Sequence, residues 1–150
     1  MGRALALALE NVRTLRGGPF AAVVVKDGGI LAEAVNRVTA LHDPTAHAEI
    51  LAIREACLKL GHFELKGCEI YATCEPCPMC LGAIYWARVD KVYFAATAAD
   101  ASKAGFDDSL IYRELRRPAR GRRIPMIHMM HEEARGVFAA WAKQQGKIRY

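Results

Sequence analysis

Two short stretches, thirty positions apart, constrain this chain more than anything else in it. Residues 74–80 read Cys-Glu-Pro-Cys-Pro-Met-Cys, and residues 45–49 read Thr-Ala-His-Ala-Glu. Cys77 and Cys80 form a Cys-x-x-Cys pair, whose two intervening residues let both sulfurs reach one tetrahedral metal centre. Pro78 suits the first position of a helix, so Cys77 is expected at its cap and Cys80 in its first turn. The free backbone N–H groups and the positive end of the helix dipole would stabilise thiolates there, the form a metal requires.

His47 is the expected third ligand. Asp43 reads as an N-cap, Pro44 suits the next position, and Ile50, Ile53, Cys57 and Leu60 continue an apolar stripe, which predicts a helix over 44–60. In mid-helix His47 and Glu49 would diverge, being two residues apart, but in the first turn both reach a site beyond the helix end. Three protein ligands leave a fourth position for water, the feature that separates a catalytic zinc from a structural one. Zinc lowers the pKa of such a water to roughly 7, and Glu49 is then a carboxylate that moves protons and need not bind metal. Two blander arrangements use the same residues. Cys77 and Cys80 alone could be a redox pair, and Cys74 as fourth ligand would close a structural zinc site, leaving Glu49 without a task.

His-x-Glu followed by Pro-Cys-x-x-Cys is the signature of the zinc nucleobase deaminases. Through residues 18–20 (Gly-Pro-Phe), Asn36, 43–49, 74–88 and 104–109 the sequence resembles the cytidine deaminase-like superfamily. The run Phe106-Asp107-Asp108 and the terminal Tyr150 resemble the bacterial guanine deaminases within it. The resemblance implies an α/β protein with the three-layer α/β/α cytidine deaminase-like fold, a central mixed sheet of about five strands with helices on both faces. It implies one Zn2+ per subunit on His47, Cys77 and Cys80, with Glu49 as the catalytic acid and base. It also implies that Phe20 stacks on a purine ring, that Asn36, Asp108 and Ala48 contact the base, and that Tyr150 reaches in from the partner of a homodimer whose C-terminal segments swap. The implied reaction is hydrolytic deamination of guanine to xanthine and ammonia, in purine catabolism or salvage. Guanosine, ammeline and other aminated rings present similar carbons. The tRNA adenosine deaminases share the fold, the ligands and the Glu, and remain the alternative, together with a non-catalytic zinc interaction domain.

Composition agrees with an ordinary soluble protein. At 150 residues the chain reads as one domain, long enough to bury about two-thirds of its unfolded surface. Five cysteines with one pair at metal spacing, and an N-terminal apolar run ended by Glu10 and Arg13, point to a reducing, cytoplasmic setting and to no membrane partner.

Along the chain, Leu5, Leu9, Val12 and Leu15 share a helical stripe that stops before Gly17-Gly18-Pro19. Residues 20–26 and 30–36 flank Asp27-Gly28-Gly29 as a β-hairpin. By themselves Phe20 reads as a core aromatic and Asn36 as a turn residue. A strand over 68–73, a helix over 78–88 and a strand over 91–96 follow, with a solvated loop at 97–109, a last strand at 126–130 and a last helix at 132–145. Tyr85 and Trp86 read as packing residues. Six arginines between 113 and 123, with Glu114 the only acid among them, read as solvated charge, with nucleic acid the alternative partner; few aromatics interleave them.

Overall fold

In the computed structural model, which describes residues 1–150 throughout, β1 (Ala21–Lys26) is the middle of a sheet built outward from a hairpin. It turns at Asp27 and Gly28, both at positive φ (50° and 76°), the combination a two-residue hairpin of matching twist requires. β2 (Gly29–Val35) returns antiparallel to it, with a register shift between Val24 and Val25. On its other side β1 pairs antiparallel with β3 (Cys68–Cys74), and β3 pairs in parallel with β4 (Lys91–Ala96). The order is β2-β1-β3-β4, a mixed sheet of four strands where about five were expected. Only the β3–β4 pair is parallel, and the crossover helix α4 (Pro78–Trp86) joins its strands.

Alternation along the strands divides the residues between two faces. Ala22, Val24, Ile70 and Ala72 cluster with Ala48, Ala52, Ile53 and Ala56 of α3 (Ala48–Leu60) and with Ile84 of α4, so these helices cover one face of the sheet. On the opposite face Val23 stands beside Glu33, which is bonded to Arg3 of α1 (Gly2–Arg13). The covering face of α1 is not the leucine stripe. Ala4, Ala8 and Asn11 are buried, while Leu5, Leu9 and Val12 are roughly half exposed. Small side chains at this spacing let the helix axis approach the strands closely, which a leucine face would prevent.

The helix expected over 44–60 begins four residues later, at Ala48, with His47 as its cap. Asp43 instead closes a turn ahead of it, its Oδ1 accepting from the Thr45 N–H at 2.8 Å and hydroxyl at 2.7 Å. A single helical turn, α2 (Val38–Leu41), comes before that. The expected loop after β4 contains α5 (Ala98–Lys103), started by a capping box between Thr97 and Asp100.

The chain divides into two units, Met1–Asp108 and Ser109–Tyr150. The second holds α6 (Ser109–Arg116), a 3-10 turn (Ala119–Gly121) and α7 (His131–Lys143). No strand forms at 126–130. Pro125 offers no donor, the segment finds no ladder partner, and Met130 takes a left-handed φ of 54° ahead of α7. No residue of this unit is buried, though Ile124, Ile127, Met129, Val137, Phe138 and Ile148 are among its side chains. Among the arginines, Arg117 pairs with Glu114, while the backbone N–H of Arg123 and the guanidinium of Arg122 bond to the Glu114 carboxylate and carbonyl. No helix is long and apolar enough to cross a membrane.

Burial separates positions that composition cannot. Replacing fully buried Leu65 by Ala is expected to cost about 2–5 kcal/mol in denaturant unfolding. The same change at Leu58, 82% exposed on α3, should stay within about 0.5 kcal/mol.

Candidate active site

The two motifs meet because two helices begin at the same place. α3 starts at its cap His47, whose carbonyl accepts from Leu51 N at 3.0 Å, and α4 starts at its cap Cys77, whose carbonyl accepts from Leu81 N at 2.9 Å. Pro78 occupies the first turn of α4, where its missing N–H is no loss. The approach to α4 is held from β4 as well, since Glu75 N donates to the Ala96 carbonyl at 2.8 Å.

His47 Nδ1 lies 3.6 Å from the Sγ of Cys77 and 3.6 Å from that of Cys80. A nitrogen and a sulfur at ordinary zinc distances on a tetrahedral ion are separated by about 3.6 Å, so these donors stand where one zinc would put them. The three ligand atoms all lie within 4.8 Å of one another, and no fourth His, Cys or carboxylate joins the set. Cys74 is not part of it. Its Sγ donates to the Thr97 carbonyl at 3.6 Å, and burial pushes its thiol pKa up. The closed three-cysteine arrangement is therefore not the one this fold builds.

Electrostatics within the trio are asymmetric. Hydrogen bonding from Cys80, with His47 adding to it against the effect of burial, holds the Cys77 thiol down to about 4. Cys80 is pushed up by its bond to Cys77, by burial and by the charge of Glu49, and its Sγ lies 3.4 Å from Glu49 Oε2. The bond to Cys77 raises His47. Glu49, buried in the first turn of α3, is raised by burial above all, partly offset by hydrogen bonds from its own backbone and from Cys80.

The remaining expected residues are placed as follows. Ala48 is fully buried as the first residue of α3. Asn36 is buried at the end of the hairpin, with its N–H donating to the Phe20 carbonyl at 2.9 Å. Phe20 meets Phe106 edge to face, ring centroids 4.9 Å apart. Asp108 is half-buried, and its carboxyl is raised by burial and then by the charge of Cys77. Tyr150 belongs to the second unit and is exposed.

Three residues were missed in the sequence. Asn11 donates through Nδ2 to the Gly18 carbonyl (2.9 Å) and the Asn36 carbonyl (3.0 Å). Gly17 passes so close that a Cβ there would lie 2.0 Å from the Asn36 oxygen. Thr73 accepts the Ala21 N–H at 3.0 Å and ties β1 to β3. The one available signal was the Gly17-Gly18 pair, which marks a close backbone approach as well as a helix end.

This fold and this ligand set define a zinc-dependent deaminase scaffold. The chain belongs to the family described by the cytidine and deoxycytidylate deaminase zinc-binding region, which matches residues 1–96. It is 53% identical over 148 residues to guanine deaminase of Bacillus subtilis (strain 168), covering 99% of this chain and 95% of that one. The X-ray structure of guanine deaminase from Bacillus subtilis matches with a TM-score of 0.97 over the same shares. The tRNA-specific adenosine deaminase of Aquifex aeolicus (strain VF5) is 40% identical over 126 residues, 84% of this chain and 81% of its own. A crystal structure in complex with 2,6-diaminopurine is 38% identical, with a TM-score of 0.68 over 71% of this chain and 60% of that one.

The donor geometry predicts that Cys74→Ala keeps one zinc per chain while Cys80→Ser loses it, as read by elemental analysis. Cys80 is raised and must give up its proton to ligate, the rise at His47 extends its competition with protons to higher pH, and Cys77 is already a thiolate near neutral pH. Zinc titration of metal-free protein should therefore release protons, and affinity should fall as pH falls. A titration with no proton release would contradict this electrostatic picture.

Proposed function

We propose that this protein is a zinc-dependent guanine deaminase, converting guanine and water to xanthine and ammonia. The observation that carries the reading is Glu49, a buried carboxylate beside a three-donor zinc set that has no fourth protein ligand. His47, Cys77 and Cys80 would hold the ion, and when bound it supplies the Lewis acidity that makes water a nucleophile near neutral pH.

Everything else falls to the chain's own groups. Glu49 accepts a proton from the attacking water as the new C–O bond forms at the ring carbon bearing the exocyclic amine. It passes that proton to the adjacent ring nitrogen, takes the second proton from the added hydroxyl as the C=O bond forms, and gives it to the amine as the C–N bond breaks and ammonia leaves. A carboxyl raised by burial moves toward the range in which one group can both take and give a proton near neutral pH. Phe20, braced by Phe106, supplies an aromatic surface for the purine ring. Asp108 accepts from the ring N–H and amine donors that guanine carries and cytosine does not arrange in the same way. Asn36 holds another edge of the base, and Ala48, with no side chain beyond Cβ, leaves the backbone at the start of α3 open to it.

The homodimer belongs to the same reading. Ser109–Tyr150 has no buried residue, and its apolar side chains gain cover if the segment docks on a second copy, completing one deaminase domain across the pair and bringing Tyr150 to the partner's site. Five free thiols, two of them in the metal set, suit the reducing cytoplasm. The arginines gathered around Glu114 are read as local structure and not as an RNA surface.

The test is ammonia release by zinc-loaded protein given guanine, guanosine, adenine, cytosine or an anticodon stem-loop. Release from guanine with xanthine appearing in the ultraviolet spectrum is expected. Release from the RNA alone would transfer the assignment to the tRNA adenosine deaminases. Glu49→Gln should lower turnover by roughly 10²–10⁴-fold with zinc retained, and loss of zinc in that variant would make Glu49 a ligand or a structural residue. Sedimentation should give a dimer, and removal of residues 109–150 should abolish it.

A further inference from the structure

The side-chain amide of Asn36 has its orientation fixed by the main chain. Its Oδ1 accepts from the N–H groups of Gly18 at 3.3 Å and Val38 at 3.4 Å. Only an oxygen can accept from an N–H, so the amide cannot be turned about, and its Nδ2 remains a donor uncommitted within the protein.

That arrangement holds only if Gly18 and Asn36 keep their spacing, and one side chain from another element spans both. Asn11, 2% exposed near the end of α1, uses a single Nδ2 to donate to the carbonyls of Gly18 and Asn36. The loop itself cannot supply this brace, since any side chain at Gly17 would start 2.0 Å from the Asn36 oxygen and 3.1 Å from Asn11 Nδ2. The other buried residues of α1 are alanines, and an apolar side chain at position 11 would satisfy packing alone. Asn11 instead carries a buried Oδ1 with no hydrogen-bond partner, an unfavourable burial that packing does not require.

We propose that Asn11 is a positioning residue for substrate selection: it clamps Gly18 to Asn36 so that Asn36 presents a fixed N–H donor to the base. The ligand edge it selects is an acceptor, a carbonyl oxygen or an unprotonated ring nitrogen, and not an amine. This rests on the proposed role of Asn36 in binding the base. It adds that the specificity of that contact is set from α1, which supplies none of the residues proposed to touch the substrate.

The test is a double-mutant cycle on zinc-loaded protein with guanine, using N11A, N36A and N11A/N36A, with N11L as a variant that fills the space without a donor. N11A and N11L should each raise KM about tenfold with kcat within about twofold, at unchanged zinc content and circular dichroism. In the N36A background the same changes should add nothing, because the group they position is gone. An N11A or N11L effect that persists in full on N36A, or an unchanged KM in both, overturns the proposal. An unchanged KM in N36A itself overturns the assignment of Asn36 as a base contact, a failure separate from that of the clamp.

Discussion

Keeping two helix N-termini aimed at one point is the constraint on which the rest of Met1–Asp108 depends. A zinc set drawn from His47, Cys77 and Cys80 needs the starts of α3 and α4 held within a few ångströms, and nothing local to either motif can do that. The hydrophobic core does it. Alanines at 48, 52 and 56 let α3 lie close against Ala22, Val24 and Ala72, and Ile84 fixes α4 to the same cluster. Side chains this small leave little slack, so the ligand spacing is inherited from the packing of helices on strands.

The same economy explains where the chemistry sits. Helix starts expose backbone N–H groups and carry positive potential, which suits a thiolate at Cys77 and places Glu49 in a first turn beside the metal donors. Burial then works in the opposite direction on the carboxylate, raising it toward useful proton transfer. At these helix starts hydrogen bonding from Cys80 and His47 therefore lowers one acid, Cys77, while enclosure raises another, Glu49, 3.4 Å from Cys80.

How much of this was legible in the sequence follows from the range of the interactions. Cys-x-x-Cys, His-x-Glu and the Asp27-Gly28 hairpin are local patterns, and the residues they implicated do converge in the fold. The start of α3 was misjudged because Asp43 and Pro44 fit a cap equally well, and the choice was made by the turn Asp43 forms with Thr45. The stripe of Leu5, Leu9 and Val12 drew attention to the wrong face of α1, since periodicity reports apolar residues and cannot report that the sheet has room only for Ala4 and Ala8. The expected strand at 126–130 has apolar character but no partner strand within the chain, a requirement that sequence does not encode locally. Asn11 was invisible for a related reason: its bond to Asn36 spans 25 positions and follows no motif.

β4 ends the sheet with one side unpaired, and Tyr93 and Phe94 are exposed on it. A bare strand edge flanked by aromatic side chains is a template for any extended chain, correct or not. Refolding from denaturant thus becomes a contest between orders of reaction. Folding of one chain does not depend on concentration, while association at the edge, which recruits further chains, grows with it. Yield should fall as protein concentration rises, and chaperones that shield edges would slow the fall.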